Sequence, residues 1–243
     1  MRHLSRMLSG RLVKIAVGQE PVKHEYHIHE SLLLEASEFF KKALMGPFKE
    51  SQGVLELPEE ESATVETFIK WLYSRACENT PLVKLAAKDE SNMFLYLKTY
   101  AFADKYMITE LENDVMKEVH AYLSSGPVIS EEFYLSSNIN GEDEPFFRSI
   151  VVGPIPEQVR FIFENTRPAA RMRPLLVDHF LLHSSYPNMG ASAKEGFKNL
   201  AEDVPDFGSC LVDRMFHWAA VKNRDVCDET HNTIGKLKQY CDN

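Results

Sequence analysis

The feature that most limits what this chain can build is a change of period at His29. Before it lie two six-residue runs that suit strands. Leu12 to Val17 reads LVKIAV, rich in β-branched side chains and interrupted only by Lys14. In His24 to His29, Tyr26 and Ile28 share one face and His27 and His29 the other, because successive side chains of a strand point to opposite faces. Gly18 to Pro21 supply turn chemistry between the runs, so the two are expected to pair as a hairpin. After His29 the period lengthens to about 3.6. Leu32, Leu33 and Ala36 then fall on one side of a helix that Ser37 can end or recap.

The mixture continues along the first half. Phe39, Phe40, Ala43 and Leu44 mark a second short helix, and Gly46-Pro47 breaks it, since the residue before a proline is disfavoured in helical conformation and proline lacks the backbone donor. Val54 to Pro58, VLELP, reads as a short third strand with Leu55 and Leu57 inward. Val65, Phe68, Ile69, Leu72 and Tyr73 then recur as the stripe of an amphipathic helix. Glu59, Glu60 and Glu61 precede it, where carboxylates interact favourably with the helix dipole. Residues 75–92 lose the pattern and read as a loop. Phe94, Leu97 and Ala101, then Ile108, Leu111, Val115, Val119 and Tyr122, trace two further helices, with Thr109 and Glu112 spaced as a capping box. Strands and helices alternate without a regular βαβ order. That implies an α+β domain, a small sheet covered by helices.

Composition allows such a core and limits what it can bind. Of the 243 residues, 44% are hydrophobic and 26% charged, which places the chain among globular proteins rather than disordered ones. The net charge is -9, with 15 basic against 19 acidic residues in 1–125 and 12 against 17 in 126–243. Direct binding to nucleic acid calls for clustered cations, and no such run occurs. Cys77, Cys210, Cys227 and Cys241 are scattered, the opening MRHLSRMLSG lacks the apolar core of a signal peptide, and no stretch is apolar enough to span a membrane. The expectation is a soluble protein of a reducing compartment, cytoplasmic or nuclear or both, without membrane partners.

These residues, in this order, resemble the BTB/POZ domains, and particularly the many BTB-containing proteins of filamentous fungi. The resemblance rests on His29, Leu33, Ser37, Phe39 and Phe40 after the hairpin, and on the segment Gly46-Pro47-Phe48-Lys49-Glu50-Ser51. It rests also on VLELPEEE, on Phe68-Ile69-Lys70-Trp71-Leu72-Tyr73, and on Ala101-Phe102-Ala103-Asp104-Lys105-Tyr106. It is strong over about residues 10–74 and continues over 94–123. The resemblance implies a protein-binding fold that dimerises or docks a partner and has no active site. Many animal members carry an acidic residue in a charged pocket of the dimer interface where this chain has Leu12. Self-association through that interface is therefore expected to be weak.

Some family adaptors for cullin-type ubiquitin ligases carry a hydrophobic-x-Glu element between helix and strand, and Phe48 and Glu50 stand at that point. An aromatic that fills a partner's pocket beside an orienting carboxylate is the usual anatomy of a binding hot spot. The alternative is that Phe48 packs on its own domain. These two residues are the candidate partner-binding site.

Other constellations carry less. His24, His27 and His29 have no diagnostic metal spacing, and His29 suits a hydrogen bond where strand meets helix. Cys227 and His231 stand four apart, and Cys210, His217 or Cys241 could complete a zinc set. No CxxC pair supports one, and helical thiols serve as small apolar groups. No phosphate-binding loop, nucleophile elbow, HExxH or dinucleotide fingerprint occurs. No catalytic, cofactor or metal residue is therefore nominated.

The chain is expected to divide into a BTB/POZ domain over 10–124, a linker or irregular connection over 125–156, and a mainly α-helical region over 157–243. The last shows helical spacing at Val159, Ile162 and Phe163, from Pro174 through Leu181, and at Leu211, Met215, Trp218 and Ala219. Trp218 and Phe216 read there as core. The functional expectation is an adaptor or assembly module, with a cullin the leading partner and self-association another. An enzyme with its site in the C-terminal half, or a transcriptional regulator acting through a DNA-binding partner, are the alternatives.

Overall fold

The computed structural model describes residues 10–76, 90–124, 128–129, 149–150, 154–184 and 191–224. The chain divides into two compact units. One comprises Met1–Leu85, Glu90–Val119 and Glu164–Ala170, the other Ala86–Asp89, His120–Phe163 and Arg171–Asn243.

In the first unit, β1 (Leu12–Val17) and β2 (His24–His29) form the expected antiparallel hairpin, with Ile15 opposite Tyr26 and Val13 opposite Ile28. The third strand, β3 (Val54–Leu57), joins the other side of β1 in parallel, giving the order β2-β1-β3. Val13, Ile15, Val17, Ile28, Leu55 and Leu57 are buried. This face carries the alternating apolar residues of all three strands, as a sheet covered on one side requires.

Two short helices follow the hairpin, α1 (Glu30–Ala36) and α2 (Glu38–Met45). Ser37 joins them. Its backbone N–H donates to the carbonyl of Leu33, closing α1, while its hydroxyl oxygen accepts from the N–H groups of Phe39 and Phe40, opening α2. The same hydroxyl donates to the Tyr106 carbonyl at 2.6 Å. Helices α3 (Ser62–Ala76), α4 (Glu90–Lys105) and α5 (Thr109–Leu123) complete the unit. Phe40, Phe68, Phe102 and Tyr106 form a continuous ring cluster, with centroids 4.6 to 5.9 Å apart. Stacking at such distances adds to the burial of their area.

Several sequence expectations need correction. Of the loop expected over 75–92, Arg75 and Ala76 are helical in α3 and residues 90–92 are helical in α4, while 77–89 lie outside the described residues. The first residues of α4, Glu90, Ser91 and Asn92, bring no apolar side chain to the period. Phe39, grouped with the inward residues of α2, is 36% exposed and rests edge-on against Phe40 and Tyr106. Thr109, expected as the cap of α5, is instead its first helical residue, and the Glu112 carboxylate lies 3.5 Å from Arg167. The acidic run before α3 does more than favour a helix dipole. Glu59 and Glu60 pair with Lys105, Glu61 pairs with Lys98, and Glu60 also accepts from the Tyr106 hydroxyl at 2.9 Å. The run thus ties the β3–α3 turn to α4.

Residues Glu164–Ala170 also belong to the first unit. The Arg167 backbone N–H and its Nε donate to the two carboxylate oxygens of Asp104, at 2.9 and 2.8 Å.

In the second unit a two-residue ladder pairs β4 (Val128–Ile129) with β5 (Ser149–Ile150). Four helices follow: α6 (Pro156–Asn165), α7 (Met172–Ser184), α8 (Ala191–Asp203) and α9 (Pro205–Arg224). Phe163, Phe180, Phe197 and Phe207 cluster in this unit, the nearest pair 4.1 Å apart. Two charged side chains are buried with partners. Arg173 donates to the Phe163 carbonyl and to Asp206. Asp178 accepts from Arg214 through two 2.6 Å bonds and from the Trp218 indole N–H. Trp218 is accordingly half-buried, whereas Phe216, expected in the core, is 73% exposed.

Candidate partner-binding surface

The segment between α2 and β3 is built from a helix stop, a proline and a tight turn. Gly46 ends α2, its N–H donating to the Lys42 carbonyl at 2.9 Å. Its backbone φ of -83° is open to any residue, so the need for glycine here is steric. A Cβ at this position would collide with the Lys42 carbonyl oxygen and lie 2.9 Å from two carbons of the Phe48 ring. The ring therefore rests directly over Gly46.

Phe48 itself lies in extended backbone and precedes a 3-10 turn, Lys49–Gln52. Its carbonyl accepts twice from Ser51, from the N–H at 3.1 Å and the hydroxyl at 2.7 Å. Gly53 closes the turn at φ 87°, a left-handed conformation that glycine adopts without steric cost. Arg11 adds a bond to the Ser51 carbonyl at 3.0 Å. The turn is thus fixed on both sides of the aromatic.

Phe48 is 56% exposed, and Met45, at the end of α2, is 69% exposed. Of the charged residues nearby, Lys41 pairs with Glu38 at 3.1 Å and Lys49 with Glu56 at 3.1 Å. The Glu56 hydrogen bond, then the charges of Glu56 and Glu50, hold the Lys49 ammonium above its ordinary range. Among the described residues, no ion pair or side-chain hydrogen bond engages Glu50 or Lys42. The two nominated residues thus share one turn, Phe48 as its N-cap and Glu50 within it. Sequence reasoning did not single out Met45 or Lys42, whose only sequence signal is their place on the polar side of a short helix.

The other candidates stand apart from this surface. His29 Nδ1 lies 2.9 Å from the Tyr73 hydroxyl, at the junction of β2 and α1, while His24 and His27 are exposed. Cys210 and His217 lie on α9, and burial pushes the half-buried Cys210 thiol upward. Cys227, His231 and Cys241 lie outside the described residues. Among the described residues no group of three or more His, Cys, Asp or Glu could hold a metal ion, and no helix is long and apolar enough to cross a membrane.

The first unit is thus a small sheet backed by helices, with Phe48 exposed at the turn between α2 and β3. Residues 13–121 match the family model of the BTB/POZ domain, and this part of the chain is a BTB/POZ domain, a protein–protein interaction module. Among curated proteins nothing matches the chain.

Proposed function

We propose that the protein is an adaptor or assembly factor, and that the turn bearing Phe48 and Glu50 docks the scaffold of a cullin-type ubiquitin ligase. The observation that carries the reading is Phe48, a residue 56% exposed, on a turn braced by Ser51 and Arg11. Such a ring costs apolar hydration while free and loses little freedom on binding. Preorganisation of this kind raises affinity by lowering the entropy cost of association. Glu50, two residues on, supplies the carboxylate that fixes orientation at the rim.

Calorimetric titration against the N-terminal region of a cullin tests this. Phe48→Ala is expected to weaken binding by about 30-fold, the loss of roughly 2 kcal/mol that marks a hot-spot anchor. Its melting temperature should stay close to that of the wild type. Absence of detectable binding by the wild type would end the ligase-adaptor reading. Equal binding by wild type, Phe48→Ala and Glu50→Ala would place the docking surface elsewhere.

A further inference from the structure

We infer that Arg11 is the positioning residue of the Phe48 turn: its guanidinium, held by Glu30, spans from the start of α1 to the Ser51 carbonyl and fixes the turn to the base of the β1–β2 hairpin. The bearing of this on docking rests on the reading above. The ordering of the turn by Arg11 does not, and the two are tested separately.

The guanidinium makes two bonds that diverge. Nη1 donates to the Ser51 carbonyl at 3.0 Å and Nη2 to the Glu30 carboxylate at 2.6 Å. Glu30 is the first residue of α1, and its N–H donates in turn to the Arg11 carbonyl at 3.1 Å. Arg11 and Glu30 are thus joined through backbone and side chain alike, which gives the guanidinium a fixed origin. Nη1 also lies 3.8 Å from the point where a Gly53 Cβ would sit, against the left-handed residue that closes the turn.

The bonds within the turn shape it without attaching it. The Ser51 N–H and hydroxyl both return to the Phe48 carbonyl, and the Gly53 N–H to the Glu50 carbonyl. The Lys14 N–H holds the far end, through the Gly53 carbonyl at 2.9 Å. Among the described residues, Arg11 is the side chain from outside 46–57 that bonds the turn. A continuous chain of bonds therefore runs from Glu30 through Arg11 and Ser51 to the backbone of Phe48. Arginine suits this place because its planar fork carries donors in different directions, whereas lysine presents a single ammonium on a flexible stem. The Arg11 and Glu30 side chains are 45% and 21% exposed. Pairs so exposed add little to global stability, so the effect is local.

Amide hydrogen exchange on the full chain, with no partner present, tests the inference. Arg11→Met keeps the apolar stem and removes the donors. It is expected to speed exchange of the Ser51 and Gly53 amides about fivefold, the net worth of a hydrogen bond, with the melting temperature unchanged. Glu30→Gln should have a smaller effect, and the double variant no more than Arg11→Met alone, because Glu30 acts through Arg11. Arg11→Lys should not restore slow exchange. Lys14→Gln breaks an exposed pair with Glu25 and keeps the Lys14 N–H, so both amides should exchange as in the wild type. Unaltered exchange in Arg11→Met overturns the inference. Full rescue by lysine, or an equal rise in Lys14→Gln, overturns it too, since charge alone would then suffice. Titration with the same cullin fragment addresses docking. Weakening by Arg11→Met in step with its faster exchange supports both readings. Unchanged affinity despite faster exchange removes Arg11 from docking, and a wild type that does not bind ends the docking reading while the exchange result stands.

Discussion

Met107 holds a left-handed backbone, φ 54°, at the end of α4. The Met107 N–H donates to the Asp104 carbonyl and the Ile108 N–H to the Ala103 carbonyl, the paired bonds of a Schellman ending in which glycine is the usual residue. An L side chain here is strained by roughly 1 to 2 kcal/mol. Met107→Gly should therefore stabilise the first unit by about 0.5 to 1 kcal/mol after glycine's greater unfolded-state entropy is deducted. Denaturant unfolding followed through the aromatic cluster measures it, and a destabilised variant would mean that the 45% exposed methionine side chain makes packing contacts that outweigh the strain. At this scale the sequence was partly legible. Phe48 could be nominated only because the family resemblance puts a hydrophobic-x-Glu element at this point, and its outward exposure depends on the turn that Gly46 and Ser51 build. Phe216 misled for a different reason. It reads as core for being aromatic, but the inward side of α9 is occupied by Phe207, Arg214 and Trp218, with which Phe216 shares no helical spacing.

Helix ends in the first unit depend on few groups, and Ser37 serves two of them. Replacing it with alanine removes the acceptor for the Phe39 and Phe40 N–H groups and the donor to the Tyr106 carbonyl. Loss of an N-cap costs about 1 kcal/mol, and a buried carbonyl left without its donor costs about 1 to 3 more. Ser37→Ala is therefore expected to lower stability by about 2 to 3 kcal/mol. Ser37→Thr or Ser37→Asp restores the cap, but the aspartate cannot donate to Tyr106, so a full rescue by Asp would refute the double role. The three strands of the first sheet were legible because two rules agree there, alternation within each strand and Gly or Pro at the turns. The helix α8 was not, since Phe197 and Leu200 are the large apolar residues it buries and two such residues make no stripe. Along α4 a different difficulty arose. Thr99 and Asp104 are buried with its apolar residues, so a helix enclosed on most sides shows little amphipathic contrast.

Across the whole molecule, the first unit extends beyond the stretch that the BTB/POZ family model covers. The match ends at residue 121, yet Glu164–Ala170 belongs to the unit and Arg167 grips Asp104 through its backbone N–H and its guanidinium. Nothing in the sequence signals this pair, because its partners lie 63 residues apart and follow no period. The Asp104 side chain is 2% exposed and the Arg167 side chain 61%. A wholly buried pair broken on one side costs about 3 to 5 kcal/mol, and an exposed pair at most about 1, so this one should fall between them, near 2. Asp104→Asn in the full chain is expected to cost about that much. A fragment of residues 10–124 has no Arg167, and there the same substitution should change stability by less than about 0.5 kcal/mol, because water has replaced the guanidinium as the carboxylate's partner. Hydrogen exchange of the α4 amides in the four proteins gives the comparison directly, without requiring the full chain to unfold in one step. An equal loss in fragment and full chain would mean that Asp104 stabilises α4 by itself. A loss confined to the full chain makes residues 164–170 a working part of the interaction domain.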